Sequence, residues 1–465
     1  MSLFLTDPPH SCGGTSTPPE KQRSNFCHDF STSNESSIQQ GYVAHSPLLS
    51  HPYPMKITDV RTVLLTGPCT GDPYLLELRK WRSAAFIEID TDDPTLSGLG
   101  ETYVGYFCPE IVPETVEFFK PILVGQNVDD IAELWDRMYH CGNFWCRVGL
   151  GASVLSGIEA ALWDLKGKIE NKPVCELLAE GGSIPHEKIA GYATGGPSNY
   201  PEERLAEKLD YYRSLGFNAA KLGVGSLTAE NGYVIAPESS AAADFEAAKL
   251  EFVRSQYGPD FKVMLDGHMG NNPNRTWDTA TAIEVCRACE PYDLFFFEEP
   301  LHYTNPKGYA ELCAATKVPI AGGECLTADC EWEIFIDQDC FDIGQPDAGF
   351  MGGFGEFRKV AKRFEVRNRK VATHAWGGGG VLMQNIHAGF ATPNTTILEI
   401  PPAYGPLHSE IVGESFQMHD GYVLPPTAPG LGIQLTEETK SNFPFRRGSG
   451  EYNSVAGKIL PEKQV

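Results

Sequence analysis

The 465-residue sequence is short of positive charge, with 37 Lys and Arg against 61 Asp and Glu and a formal net charge of −24. That balance argues against nonspecific attraction to nucleic acid or to an anionic membrane surface. An anionic ligand would have to find a local positive centre. Long apolar runs are also missing: none reaches the roughly 18 residues of a membrane-spanning helix. The first residues, MSLFLTDPPHSCGG, have too short an apolar segment and no basic lead for a secretory signal. The segment that follows is not Arg-rich and contains acids, unlike a mitochondrial presequence. The 13 cysteines form no paired CxxC motifs of the zinc type, and Cys175, Cys286, Cys289 and Cys313 sit in apolar helix-like or strand-like contexts. Free thiols in a reducing, cytoplasmic setting are expected rather than a disulfide framework. The glycine-rich WGGGG at 376–380 is no dinucleotide fingerprint, because no GxGxxG opening a helix and no ribose-binding acid accompany it. It reads instead as a close-approach loop with amides able to face an anion.

What the chain does have is a ladder of acids. Asp266 closes FKVML, Glu298 and Glu299 follow LFFF, Glu324 follows VPIA, Asp347 follows FDIG, and His374 follows KVAT. Each apolar run has the length and composition of a buried parallel strand. From Asp266 through Glu298, Glu324 and Asp347 to His374 the steps are 32, 26, 23 and 27 residues. That is the length of one strand-helix unit, and helix-like segments such as TATAIEVCRACEP and FGEFRKVAKRFE lie between the runs. A (β/α)8-type barrel brings such positions together, since all its strands present their C-terminal ends to one face. Any one acid after a strand can be a helix N-cap or a solvated loop residue. Five at a regular period, with a histidine last, point to one shared site. Three carboxylates on adjacent strand ends suit a hard divalent cation, Mg²⁺ above all.

The rest of the chain divides around this ladder. Residues 1–54, rich in Ser, Pro, Gly and Gln, are expected to be disordered. Residues 55–185 read as an α+β domain: two strand-like runs, KITDVRTVLLT and SAAFIEIDTDD, then three helix-like segments. Residues 186–405 make the barrel, with IAGYAT as its first strand and FNAAKLGVG as its second. A segment at 406–440 includes APGLGIQL, and 441–465 read as a poorly ordered tail. Residues two apart on a strand share a face, so Lys221 pairs with position 223, where a glycine stands, and Asp266 pairs with His268.

With these motifs the sequence resembles the enolase superfamily, in its mandelate racemase-like acid-sugar branch, over about residues 55–435. The resemblance implies that the α+β domain caps the barrel, with loops at about 66–83 and 102–109 closing over its mouth to select a small carboxylate substrate. Arg79, Lys80, Trp81 and Arg82 are then either substrate contacts or a solvated basic turn. APGLGIQL becomes a strand returning to the cap. The metal ligands fall on Asp266, Glu298 and Glu324, leaving Glu299 in support. The Asp/His dyad falls on Asp347 and His374, and a further family glutamate on Glu399, after the eighth strand. In this superfamily a Lys or His base works with Mg²⁺.

Racemases of the family carry KxK on the second strand, and its second lysine is a base; here the motif is KLG, with Gly223 at that place. Lys221 stays as a cation near the substrate carboxylate or as a solvated strand-end lysine. Dehydratases with a DxH motif use its histidine as general acid, which implies that role for His268; a hydrogen-bonded packing role is the alternative. The expected activity is dehydration of an aldonic or aldaric acid to a 2-keto-3-deoxy acid by a homo-oligomeric enzyme. A racemase, epimerase or lactone cycloisomerase and a noncatalytic barrel scaffold remain the alternatives.

Deleting residues 1–54 should leave activity and melting temperature essentially unchanged. A large loss of either, by assay or thermal melt, would show that the segment docks on the body.

Overall fold

The structure is a computed structural model that describes residues 55–69, 81–195, 200–227, 233–234, 239–270, 276–402 and 405–449. The segment 1–54 expected to be disordered lies outside them. β1 (Ile57–Pro68) and β2 (Trp81–Thr91) are long strands of β-branched and aromatic residues. They pair antiparallel from Ile57↔Thr91 to Pro68↔Trp81, with β3 (Ser97–Thr102) on the other edge of β2. The expected loop at 66–83 is therefore shorter: the ladder runs to Pro68 on one side and from Trp81 on the other, because both ends find partners. Arg79 and Lys80 lie outside the described residues.

After the sheet come the short α1 (Val104–Phe107), then α2 (Val112–Leu123), α3 (Ile131–Cys141), α4 (Leu150–Glu170) and α5 (Val174–Leu178). Helix α4 lies so close to β3 that a Cβ at Gly98 would collide with the Ala161 carbonyl, and one at Gly100 with that of Gly157. Only glycine permits that approach. Ile57, Val60, Phe119, Leu123, Leu134, Ile158 and Leu162 share one apolar core in this domain.

The barrel begins at β4 (Ile189–Ala193), followed by α6 (Glu202–Ser214) and β5 (Ala219–Gly223). A small hairpin of β6 (Ser226–Leu227) and β7 (Tyr233–Val234) precedes α7 (Ser239–Tyr257). Strand and helix then alternate: β8 (Lys262–Asp266), α8 (Thr279–Cys289), β9 (Phe296–Glu298), α9 (Pro306–Ala315), β10 (Ile320–Gly322), α10 (Asp329–Asp337), β11 (Ile343–Gly344), α11 (Phe354–Glu365), β12 (Lys370–Thr373), α12 (Gly379–Ala391) and β13 (Thr395–Ile400). The parallel order β4-β5-β8-β9-β10-β11-β12-β13 closes by pairing β13 with β4. The result is an eight-stranded parallel barrel with an antiparallel N-terminal cap. One residue from each strand, Tyr192, Ala219, Met264, Phe296, Ala321, Ile343, Ala372 and Ile397, joins a separate apolar cluster. Large rings beside alanines fill the closed interior, so the barrel has a floor and no pore.

The chain leaves the barrel through α13 (Pro406–Val412) and a hairpin of β14 (Met418–His419) and β15 (Tyr422–Val423), whose second strand pairs antiparallel with the start of β4. The returning segment APGLGIQL is not a strand. It makes a single bridge, Pro173↔Gly430, and Asp164 Oδ1 accepts the Leu431 N–H at 2.7 Å. A buried carboxylate here replaces the ladder that a strand would have provided.

The expected tail at 441–465 also starts too early. Beyond α14 (Glu437–Asn442), Phe443 is buried and its carbonyl accepts the Thr66 N–H, and the Ser449 hydroxyl lies 2.6 Å from Ser83 Oγ and 2.9 Å from Thr66 Oγ1. Arg446 lies 3.8 Å over the Trp81 ring. Through Ser449 the chain thus covers the open end of the β1–β2 ladder. Phe443→Ala should cost about 3 kcal/mol or more of stability in denaturant unfolding, as for other buried aromatics. A loss under about 0.5 kcal/mol would mean that this segment only rests on the sheet.

Candidate active site

The inner face of the barrel can be counted upward from its apolar floor. Two residues beyond each floor residue, strand alternation returns a side chain to the axis. From Ala219, Met264, Phe296, Ala372 and Ile397 that step reaches Lys221, Asp266, Glu298, His374 and Glu399. All five are at most 5% exposed. The same parity separates Glu298 from Glu299: the first is the last residue of β9, and the second follows it with φ of +45°. Glu399 lies within β13 rather than after it.

Lys221 is the positive centre of this layer. Its Nζ is 2.9 Å from Asp266 Oδ2, 2.8 Å from Glu298 Oε2 and 3.2 Å from Glu399 Oε1. Burial works against the ammonium, yet these three carboxylates hold its pKa well above the usual lysine value. Burial likewise opposes the charged form of Asp266, but His268 and Lys221 keep its pKa below the ordinary aspartate value. Glu399 is lowered against its burial by Lys221 and His374. Glu298 goes the other way, raised by burial and by Asp266. One of its oxygens, Oε1, is buried with no hydrogen-bond partner among the described residues.

Glu324 follows β10 through Gly323, whose φ is +113°. Burial and the neighbouring Glu299 push its pKa up to about 7. One oxygen each of Glu324 and Glu299 and the Cys325 sulfur lie within 4.8 Å of one another. Among the described residues that trio is gathered more tightly than Asp266, Glu298 and Glu324. The Cys325 thiol is raised well above its ordinary pKa, by burial first and by Glu299 and Glu324 next. A neutral, soft thiol does not compete for a hard cation, so the carboxylates are the donors that count.

On the opposite flank, His374 Nδ1 lies 2.7 Å from Asp347 Oδ2. Asp347 is itself fixed, its Oδ1 accepting the Gly349 N–H and the Asn385 Nδ2–H, each at 2.7 Å. A carboxylate facing Nδ1 makes that nitrogen the donor. Nε2 then faces the cluster, 3.6 Å from Glu324 and 3.9 Å from Glu399. Burial lowers the imidazole's pKa, but Glu324, Glu399 and Asp347 together raise it to about 10.

His268 departs from the alternation expected of it. Strand β8 ends at Asp266, and His268 has φ of +47° and an exposed side chain, 65% accessible. It does not share Asp266's inward face. Its backbone N–H donates to Asp266 Oδ1 at 2.9 Å and its Nδ1 is 3.3 Å from the same oxygen, so it stands at the rim.

The cap reaches the site through Arg82, Glu101 and Tyr103, of which the sequence singles out only Arg82, and Arg82 is buried rather than part of a solvated turn. The Tyr103 ring lies 5.3 Å from that of His374. Arg82, a strand residue buried in β2, donates to the Gly377 carbonyl at 3.0 Å with its guanidinium 4.5 Å over the Trp376 ring. Trp81 is partly exposed under Arg446. Glu101 on β3 accepts the N–H groups of Gly378 and Val381 at 2.7 and 2.8 Å. Of the WGGGG amides expected to face an anionic ligand, that of Gly378 is thus engaged by the cap's own carboxylate, and a Cβ at Gly378 would run into it. Burial raises Glu101 to about 7 against those N–H bonds.

Lys221→Met should destabilise the protein by about 3–5 kcal/mol at neutral pH in the presence of EDTA, because it leaves buried carboxylates uncompensated. Part of that loss should return when Mg²⁺ is added. Unchanged stability in EDTA would show that the cluster does not depend on this cation.

Residues 72–179 match the mandelate racemase / muconate lactonizing enzyme N-terminal domain, and residues 204–439 match the enolase C-terminal domain-like family. The chain is similar to arabinonate dehydratase of Saccharolobus solfataricus, 32% identical over 75% of this chain and 87% of that protein. It is also similar to D-galactarolactone cycloisomerase of Agrobacterium fabrum, 28% identical over 84% of this chain and 99% of the relative. Among solved structures, L-talarate dehydratase from Polaromonas sp. JS666, complexed with Mg and L-glucarate, superposes with a TM-score of 0.70 at 28% identity, over 84% of this chain and 97% of that one. With both domains matched and a relative 32% identical over 87% of that relative's length, the chain belongs to the enolase superfamily, in the mandelate racemase / muconate lactonizing enzyme family.

Proposed function

We propose that the protein is a Mg²⁺-dependent dehydratase that converts an aldonic or aldaric acid to its 2-keto-3-deoxy acid. The observation that carries this reading is the one-sidedness of the site: His374, one residue past β12, is held by Asp347 at 2.7 Å, while the β5 position that carries a second base in the racemases it resembles is Gly223, with no side chain. Asp266, Glu298 and Glu324 fit a hard divalent cation, being oxygen donors of which the first two are buried and the third half-buried, with Glu298 Oε1 unpartnered among the described residues. When bound, Mg²⁺ supplies positive charge against the negative charge that develops on the substrate carboxylate.

The residues then divide the chemistry. His374 Nε2 removes the α-proton, and Asp347 orients the ring and stabilises the imidazolium. The C2–H electron pair forms the C2=C3 double bond as the C3–O bond breaks. His268, at the rim, gives its proton to the departing hydroxyl, which leaves as water. The remaining enol tautomerises to the 2-keto acid. Lys221 and Glu399 complete the cage around the developing enediolate. While the surrounding carboxylates are uncompensated His374 is held as imidazolium, so its service as base requires their charge to be taken up.

Incubating the protein and Mg²⁺ with a panel of aldonic and aldaric acids, and detecting 2-keto products, tests the reading directly. Epimerisation at the α-carbon without water loss would replace it with an isomerase. Stability and activity indifferent to EDTA would leave only a scaffold.

Two sets of variants test the assignments. Asp266→Asn and Glu298→Gln should keep the fold and weaken Mg²⁺ binding measured by calorimetry; wild-type affinity in both would sink the ligand set. His374→Asn should stop exchange of the α-proton with solvent deuterium. His268→Asn should block hydroxyl loss while leaving part of that exchange, and full dehydration by it would remove His268 from the mechanism.

A further inference from the structure

The same upward count that places the charged residues reaches one more side chain. Two residues beyond the floor residue Ile343 stands Gln345. Its backbone N–H donates to the Gly322 carbonyl at 2.9 Å, which extends the β10–β11 ladder by one step and keeps the chain extended there. The residue before it faces outward, since a Cβ at Gly344 would meet the Phe364 ring on α11. Gln345 therefore faces the barrel axis, in the layer of Lys221, Asp266, Glu298, His374 and Glu399 and between the strands that deliver Glu324 and His374. It is fully buried. Among the described residues neither its Oε1 nor its Nε2 has a hydrogen-bond partner.

A buried primary amide with both ends unsatisfied is destabilising, and an apolar side chain of the same shape would remove that penalty. The amide is neutral, so it adds nothing to the charge balance around Lys221. What it offers is a donor and an acceptor side by side, which matches an α-hydroxy carboxylate: an N–H for a carboxylate oxygen, a carbonyl for the α-hydroxyl.

The geometry points to Gln345 as a substrate-binding residue that recognises the α-hydroxy-carboxylate end of the sugar acid, at the level of the reacting carbons rather than at the cap. This rests on the proposed sugar-acid activity. Its support is the parity of β11 and the two unpartnered amide atoms.

Gln345→Met keeps the volume and removes both polar atoms. Its melting temperature should equal or exceed that of the wild type, and its Mg²⁺ affinity should be unchanged. Calorimetric affinity for the aldonic acid turned over by the wild type should fall about ten- to a hundredfold, the scale of one or two hydrogen bonds to a buried site. The 2-deoxy counterpart of that acid, which lacks the α-hydroxyl, should lose clearly less on the same substitution. A purely structural glutamine would lower the melting temperature and weaken both acids alike, and that result overturns the inference. So does wild-type affinity in Gln345→Met. If the wild type neither binds nor converts any acid of the panel, the activity itself falls and this inference with it; if only Gln345→Met behaves as wild type, the activity stands without it.

Discussion

The buried charge balance at Lys221 is the constraint on which the rest depends. Three carboxylates lie within 3.2 Å of one ammonium group, all at most 5% exposed. Charges taken out of water to that degree persist only when each is compensated. The compensation is local, in a chain whose net charge is −24. It also determines which residues may stand nearby. Two acids of the site, Glu298 within that trio and Glu324 beside it, are raised rather than lowered, because one cation does not neutralise all of them. The imidazolium of His374 is the second cation that this excess of carboxylate draws out.

Much of the arrangement was legible in the sequence, for a mechanical reason. A parallel barrel places strand ends on one face, and the end of a buried apolar run is visible as the point where an acid appears. Asp266, Glu298 and His374 could be read in this way because each lies at the end of its strand or one residue beyond. The alternation rule failed at His268 for the complementary reason: it holds only while the backbone stays extended, and β8 stops at Asp266, two residues earlier. Glu299, Asn385, Glu101 and Tyr103 were not found as site residues, Glu299 being placed only in support. Asn385 meets Asp347 from 38 positions away, and Glu101 meets Gly378 across 277. Contacts of that span leave no periodic mark. The docking of Phe443 and Ser449 on the cap escaped notice for the same reason.

The cap is tied to the base rather than merely laid over the mouth. Glu101 holds the first amides of α12, Arg82 holds the Gly377 carbonyl, and Tyr103 lies beside the His374 ring. Helix α12 also carries Asn385, which fixes Asp347. A displacement of β3 would therefore reach the dyad by two routes, through the glycine loop and through the helix. Gly378 and Gly380 are needed because the Glu101 side chain is packed against their α-carbons.

The same geometry narrows the reaction. In the proposed site His374 is the one side-chain base, because the β5 position of the racemases' second base is Gly223, whereas racemisation needs a proton donor on each face. Elimination needs only one. Two kinds of elimination begin with the same proton removal: loss of a hydroxyl and opening of a lactone ring at its β-oxygen. They differ in the group that leaves. A lactone oxygen departs as a stable carboxylate and requires no acid, but a hydroxyl must be protonated as it goes. What separates a dehydratase from a cycloisomerase on this scaffold is therefore not the dyad, which serves both, but an acid within reach of C3. In the proposed reaction that acid is His268. Its exposure at the rim makes the proposed outcome depend on a site residue that the barrel itself does not bury.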